Sequence, residues 1–180
     1  MRVLVHTCCG PCGTYVFKRL REQGHAIKAL YYNPNIHPEA EYERRRAALE
    51  TYARREGIDL AYGSYQPREY WRAVGEAQSL PHRCERCYRL RLSRSAEQAK
   101  AEGFDAFTTT LLISPYQQHE RLRSIGEDIA RETGVPFHYE DYRIGYRESR
   151  ELARQAGLYM QPFCGCAFSL VERYAMKHSP

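Results

Sequence analysis

The stretch Arg2-Val3-Leu4-Val5-His6-Thr7, followed at once by Cys8-Cys9-Gly10-Pro11-Cys12, decides the fold. Its first six residues pass from alternating to continuously apolar and read as a buried strand, with a turn of cysteine, glycine and proline closing it. A helix follows, because Val16, Phe17 and Leu20 recur at helical spacing and Gly24 supplies a left-handed stop. A strand that hands over directly to a helix is the first half of a βαβ unit.

Further strand–helix alternations extend outward from that unit. Residues 26–32 form a second strand, cut off by Pro34 and Pro38 in the stretch Asn33-Pro34-Asn35-Ile36-His37-Pro38. The next helix carries glutamates early and arginines late, complementing its dipole, and ends at Gly57. A strand over 58–62, a short helix from Pro67 and a long helix over 85–102 come next. In the long helix Tyr88, Leu92, Ala96 and Ala99 form the apolar stripe, with Arg89, Arg91 and Arg94 elsewhere on its surface. A strand runs over 106–113. Ser114-Pro115-Tyr116-Gln117 then reads as a capping box opening a helix to Gly134. A last strand spans 135–139, a helix 147–157, and a final helical segment opens at 164–166. The fold class is α/β, a mostly parallel sheet with helices on both faces. Sites gather at the carboxyl ends of such strands, where Cys8, Asn33 and Asn35, and Thr108-Thr109-Thr110 fall.

The 180 residues suit a single α/β domain spanning 1–180, and no apolar run approaches the length needed to cross a bilayer. The start reaches polar residues too early for a signal peptide, so the expected location is cytoplasmic, with no membrane partner. Lys and Arg total 27 against 22 Asp and Glu, a net +5 that permits a nucleic-acid partner without requiring one.

Seven cysteines are the informative count, and an odd number fits no disulfide framework. They fall in three groups: Cys8, Cys9 and Cys12; Cys84 and Cys87; Cys164 and Cys166. Buried thiols used as small hydrophobes would be scattered singly, so the clustering points to metal or redox chemistry. Cys84, Cys87, Cys164 and Cys166 suit either a structural zinc or an iron–sulfur cubane. Cys9-Gly10-Pro11-Cys12 has the sequence of a thioredoxin active site, between a strand and a helix, where the helix N-terminus favours a thiolate. Cys8 and the four downstream thiols exceed what a dithiol enzyme requires. His6 is expected to hydrogen-bond in the interior. Thr108, Thr109 and Thr110 are either β-branched strand filler or, with Ser114, hydroxyl donors to a substrate. Asn33 and Asn35 are the only asparagines in the chain, which suggests a positional role. Arg44, Arg45, Arg89 and Arg91 lie near tyrosines, a pairing that suits phosphate and base contacts as well as it suits an ordinary solvated surface.

Five ordered blocks carry a resemblance: Cys8–Cys12, Tyr31–Glu39, Arg83–Arg91, Thr108–Leu111 with Ile113-Ser114-Pro115, and Gly157-Leu158-Tyr159 with Cys164-Gly165-Cys166. Together they resemble the cobalamin-independent epoxyqueuosine reductases. The resemblance implies a three-layer Rossmann-like, nucleotide alpha-hydrolase-like fold. It also implies the final step of queuosine biosynthesis, reduction of the base's epoxide at the tRNA wobble position to a cyclopentene. That step consumes two electrons and two protons and releases water, and it needs an external electron donor, because no flavin or nicotinamide fingerprint is present. By the same resemblance Cys84, Cys87, Cys164 and Cys166 would hold a 4Fe-4S cluster, and Cys8, Cys9 and Cys12 an additional mononuclear iron. Tyr32, Asn33, Asn35, Thr108, Thr109, Thr110 and Ser114 would contact substrate, and Arg44, Arg45, Arg89 and Arg91 the tRNA. A thioredoxin-like dithiol oxidoreductase and a tRNA-sulfurtransferase-like enzyme are the alternatives. The second lacks its phosphate loop here, since Cys8–Cys12 stands in that place.

Overall fold

The computed structural model describes residues 1–178. Four strands, β1 (Arg2–His6), β2 (Ala26–Tyr31), β3 (Asp59–Tyr62) and β4 (Ala106–Thr109), form one all-parallel sheet in the order β3-β2-β1-β4. Val3, Leu4 and Val5 are fully buried, as the unbroken apolar run of β1 requires of a strand covered on both faces. Among the described residues no helix is long and apolar enough to cross a membrane.

The chain order dictates the layers. Helix α1 (Gly10–Glu22) and helix α2 (Glu39–Glu56) follow β1 and β2 as the chain steps one way along the sheet. From β3 it returns through α3 (Pro67–Val74) and α4 (His82–Ala101) to place β4 on the other side of β1. Right-handed crossovers running in opposite directions put α1 and α2 on one face and α4 on the other. Helix α5 (His119–Thr133) packs on α4, and α6 (Tyr146–Gln155) on α1. A last helix, α7 (Ala167–His178), follows the Cys164–Cys166 turn. The direction reverses between β1 and β4, so their carboxyl ends frame the crevice where open α/β sheets hold their ligands.

Several expected boundaries shift. The strand over 106–113 stops at Thr109, because the Thr109 hydroxyl accepts from the Leu111 amide at 3.1 Å and bends 110–113 into a 3₁₀ turn. Ser114 does not open a helix. Its Oγ accepts from the Tyr116 amide at 3.3 Å and its backbone is extended, as suits a residue before proline, so α5 starts only at His119. The expected strand over 135–139 is reduced to a single bridge, Phe107 to Phe137.

Candidate metal centre and the residues around it

The β1 carboxyl end runs through Thr7 into Cys8, and Cys9 is the N-cap of α1 with Cys12 in its first turn. Glycine suits position 10: a Cβ would sit 3.1 Å from the Ala48 carbonyl oxygen, a tight contact that the α2 backbone would have to yield to, so Gly10 lets α1 begin flush against α2. The Cys8, Cys9 and Cys12 sulfurs all lie within 4.8 Å of one another, with Cys8 and Cys9 3.6 Å apart. Two thiolates bound to one ion at about 2.3 Å each, in tetrahedral geometry, stand roughly 3.8 Å apart. The trio therefore fits a single soft metal ion. Without one, hydrogen bonds from Cys12 and Cys9, then Thr110, hold the Cys8 thiol well below its ordinary range. Burial drives Cys9 upward, and the hydrogen bonds to Cys8 and Cys9 drive Cys12 upward.

The other side of the crevice supports this loop. The Cys8 amide donates to Thr110 Oγ1 at 3.1 Å, and that hydroxyl lies 3.4 Å from Cys8 Sγ. His6 is completely buried and uses both ring nitrogens, Nδ1 with Thr109 Oγ1 at 2.8 Å and Nε2 with the Tyr32 carbonyl at 3.2 Å. A carbonyl only accepts, so Nε2 carries the proton and Thr109 donates to Nδ1. Burial, with help from Arg91, lowers the His6 pKa to about 3. His6 is therefore a neutral interior hydrogen-bonding residue.

Cys84 and Cys87 lie one turn apart near the start of α4, and Cys87 and Cys166 share a small buried cluster with Tyr70 and Val74. Cys84 and Cys87 are pushed up to about 11 and about 12, first by burial; Cys164 and Cys166 add to both shifts. Cys164 and Cys166 thus lie within electrostatic reach of Cys84 and Cys87. No three of them meet the close spacing of the first trio among the described residues. The Cys164-Gly165-Cys166 turn is pinned by Arg45, which donates to the Phe163 and Cys164 carbonyls at 3.0 and 2.9 Å, and by the His37 amide, which donates to Gly165 O at 2.8 Å. Gly165 has φ +127°, and a Cβ there would approach Arg45 and Ile36 to 3.0 and 3.1 Å.

The expected substrate residues divide. Thr108, Thr109 and Thr110 are fully buried, and their hydroxyls serve the His138 carbonyl, His6 and Cys8, so in this structure they brace the site. Tyr32 is buried and donates to Glu69, and Ser114 is committed to its turn. Asn33 donates to the Thr7 carbonyl at 2.9 Å, and among the described residues its buried Oδ1 has no partner and neither polar atom of the Asn35 amide has one.

The arginines divide too. Arg44 and Arg89 are exposed, whereas Arg45 and Arg91 are each only 1% exposed. Arg45 is drawn inward by the buried Glu41 carboxylate at 2.7 Å. Arg91 follows Cys87 by four residues, so the helix turns it toward the sheet. Its Nε donates to the Cys87 carbonyl at 3.3 Å, and Cys87, Cys164 and Cys8 lie within its electrostatic reach. Gln161, unremarked in the sequence, donates to Cys9 Sγ at 2.8 Å and reaches Cys12 Sγ at 3.6 Å. Gln117 similarly reaches Cys164 at 3.6 Å. Only the nearness of Gln161 to Cys164 in the chain hinted at its place.

This centre stands at the crevice of a fold shared with other proteins. The family model for epoxyqueuosine reductase QueH matches residues 3–172. The chain belongs to the epoxyqueuosine reductase QueH family. Among similar proteins, an epoxyqueuosine reductase QueH of Dehalococcoides mccartyi is 38% identical over 180 residues, covering 99% of this chain and 98% of the relative. One of Thermotoga maritima is 37% identical over 179 residues, covering 95% and 91%. A solved structure described as a predicted subunit of tRNA methyltransferase from Methanocaldococcus jannaschii superposes with a TM-score of 0.59 at 12% identity, covering 98% of this chain and 87% of that one, and shares the α/β fold. Membership of the QueH family makes this chain an oxidoreductase of the epoxyqueuosine reductase kind, and it supports that reading over the thioredoxin-like and sulfurtransferase-like alternatives.

Proposed function

We propose that this protein reduces the epoxide of epoxyqueuosine at the tRNA wobble position to the alkene of queuosine, with iron held by its seven cysteines. The observation that carries the reading is the gathering of Cys8, Cys9 and Cys12 to within 4.8 Å at the switch point of the sheet, in a chain of the QueH family. In the division we favour, these three ligate one iron, and the wider set Cys84, Cys87, Cys164 and Cys166 holds a 4Fe-4S cluster. A cluster bound by these four cysteines would supply one-electron reducing chemistry, with the electrons coming from an external donor.

The surrounding residues have definable tasks. Thr110 and Gln161 hold the Cys8 and Cys9 sulfurs in place, and Arg45 and His37 fix the Cys164–Cys166 turn. Asn33 and Asn35 offer unpartnered amide atoms on the loop that lies against that turn, so they are the substrate contacts we retain from the expected set. Arg44 and Arg89, at the surface, are the candidates for tRNA phosphates.

Anaerobic purification, iron and sulfide analysis, and turnover on epoxyqueuosine-containing tRNA with a chemical reductant test the proposal. Colourless protein holding stoichiometric zinc and no sulfide would overturn the cofactor. Activity on a disulfide substrate alone would overturn the reaction. For the ligand division, Cys12→Ala is expected to lose one iron and turnover while keeping the cluster's absorbance; loss of all sulfide would assign Cys12 to the cluster.

A further inference from the structure

Two buried arginines stand beside the cysteines in very different surroundings. The charge of Arg45 is met by the Glu41 carboxylate at 2.7 Å, and two of its donors by backbone carbonyls. Arg91 has no such provision. Its one hydrogen bond among the described residues is to the Cys87 carbonyl at 3.3 Å, Nη2 is buried with no partner, and no carboxylate pairs with it. A guanidinium cannot shed its proton inside a protein, and an uncompensated buried charge costs several kcal/mol. The groups that can supply the missing negative charge are sulfurs: Arg91 is bonded to the Cys87 backbone, and after burial, which disfavours its charge, the strongest influences on it are Cys87, Cys164 and Cys8, which come from both thiol groups. A protonated thiol supplies no charge, whereas a thiolate bound to metal does.

We propose that Arg91 is the resident countercation of the thiolate metal centre, a positioning residue that offsets its negative charge and raises the potential at which it accepts an electron. This rests on the metal reading above. Each electron added makes the centre more anionic, and a fixed cation in a water-poor interior favours that state far more than a surface arginine would. Its burial separates this role from RNA binding, since no phosphate reaches a side chain enclosed between α4 and the sheet.

The test compares wild type, Arg91→Met and Arg91→Lys, purified anaerobically, by iron and sulfide content and by midpoint potential from dye-mediated titration followed by electron paramagnetic resonance. Arg91→Met is expected to lose at least tenfold in the reduced-to-oxidised ratio at the wild-type midpoint, about 59 mV for a one-electron couple, and Arg91→Lys to recover most of that loss. If Arg91→Met fails to load iron, Arg91→Lys is expected to load it and to titrate near wild type. An Arg91→Met protein loaded with iron at an unchanged midpoint overturns the proposal alone. Equal failure of the lysine and methionine variants also overturns it, because charge would then not be what matters. Wild type without iron and sulfide overturns both this proposal and the metal reading beneath it.

Discussion

Gln161 donates its side-chain amide to Cys9 Sγ at 2.8 Å across 152 positions of the chain. This contact ties the segment before the Cys164–Cys166 turn to the cysteines that cap α1, so one amide joins the two ends of the candidate centre. A hydrogen bond to a metal-bound sulfur fixes the ligand's direction and tempers its charge, and loss of such outer partners typically weakens metal affinity about 10–100-fold. Gln161→Ala is therefore expected to release iron to a chelator about 10–100-fold more readily than wild type while folding normally by circular dichroism. Wild-type release kinetics would show that the contact does not steady the ligand.

Thr110 acts from the opposite side of the crevice. Its hydroxyl accepts from the Cys8 amide at 3.1 Å, and both groups are buried. Valine keeps the shape but leaves that N–H without an acceptor, at a cost of about 1–3 kcal/mol. Thr110→Val should melt several degrees below wild type, and Thr110→Ser should return close to it. Thermal melts of the three proteins decide the matter; equal stability of the valine variant would mean the Cys8 amide finds another partner.

Much of this arrangement was legible in the sequence, and what escaped has physical causes. The run Val3-Leu4-Val5 before a cysteine turn could only be a buried strand feeding a helix, and tight cysteine spacing announced metal chemistry wherever the chain led. The Thr108–Ile113 segment misled because β-branched and apolar residues suit strands, while the hydrogen bond from Leu111 to Thr109 that bends it is invisible to periodicity. Arg91 misled through its charge. On α4 it lies on the same side as Cys87, Tyr88, Leu92 and Ser95, all buried, so helical geometry pointed inward where residue type pointed outward. Gln161 was hinted at only by its nearness to Cys164, since the sulfurs it meets, Cys9 and Cys12, lie at the other end of the chain.

The ion pair that anchors the Cys164–Cys166 turn should make stability depend on acid. The Glu41 carboxylate is 1% exposed and accepts from Arg45 at 2.7 Å and from Arg44 and Tyr159 at 2.8 Å each. Burial alone would raise its pKa, but the Arg45 and Tyr159 hydrogen bonds outweigh burial and hold it below the ordinary 4.5. The unfolded chain then takes up the proton first, so this contribution is complete above about pH 4.5 and disappears as pH falls through the lower folded value. At pH 7 Glu41→Gln is expected to cost about 3–5 kcal/mol, the usual effect of breaking a buried pair. The gap from wild type should narrow as the pH falls from 5 to 3. Urea unfolding across that range tests it, and a gap independent of pH would remove Glu41 from the acid response.

The tRNA contact is expected on the open side of α4. A cleft of about 700 Å³ there is lined by His82, Arg86, Arg89 and Arg121, with Glu85 among them. Arg89 and Arg121 already pair with Glu132 and Glu85, while Arg86 is exposed and has no carboxylate partner among the described residues. A phosphate must compete with those glutamates for Arg89 and Arg121 but not for Arg86, so Arg86→Ala should weaken tRNA binding more than Arg89→Ala. Each lost phosphate contact lowers the slope of log affinity against log salt by about 0.7–0.9, and the double variant should lose about twice that. Filter binding of the tRNA at several salt concentrations measures both quantities. If neither slope nor affinity changes in the double variant while Arg44→Ala lowers both, the RNA lies across α2 instead.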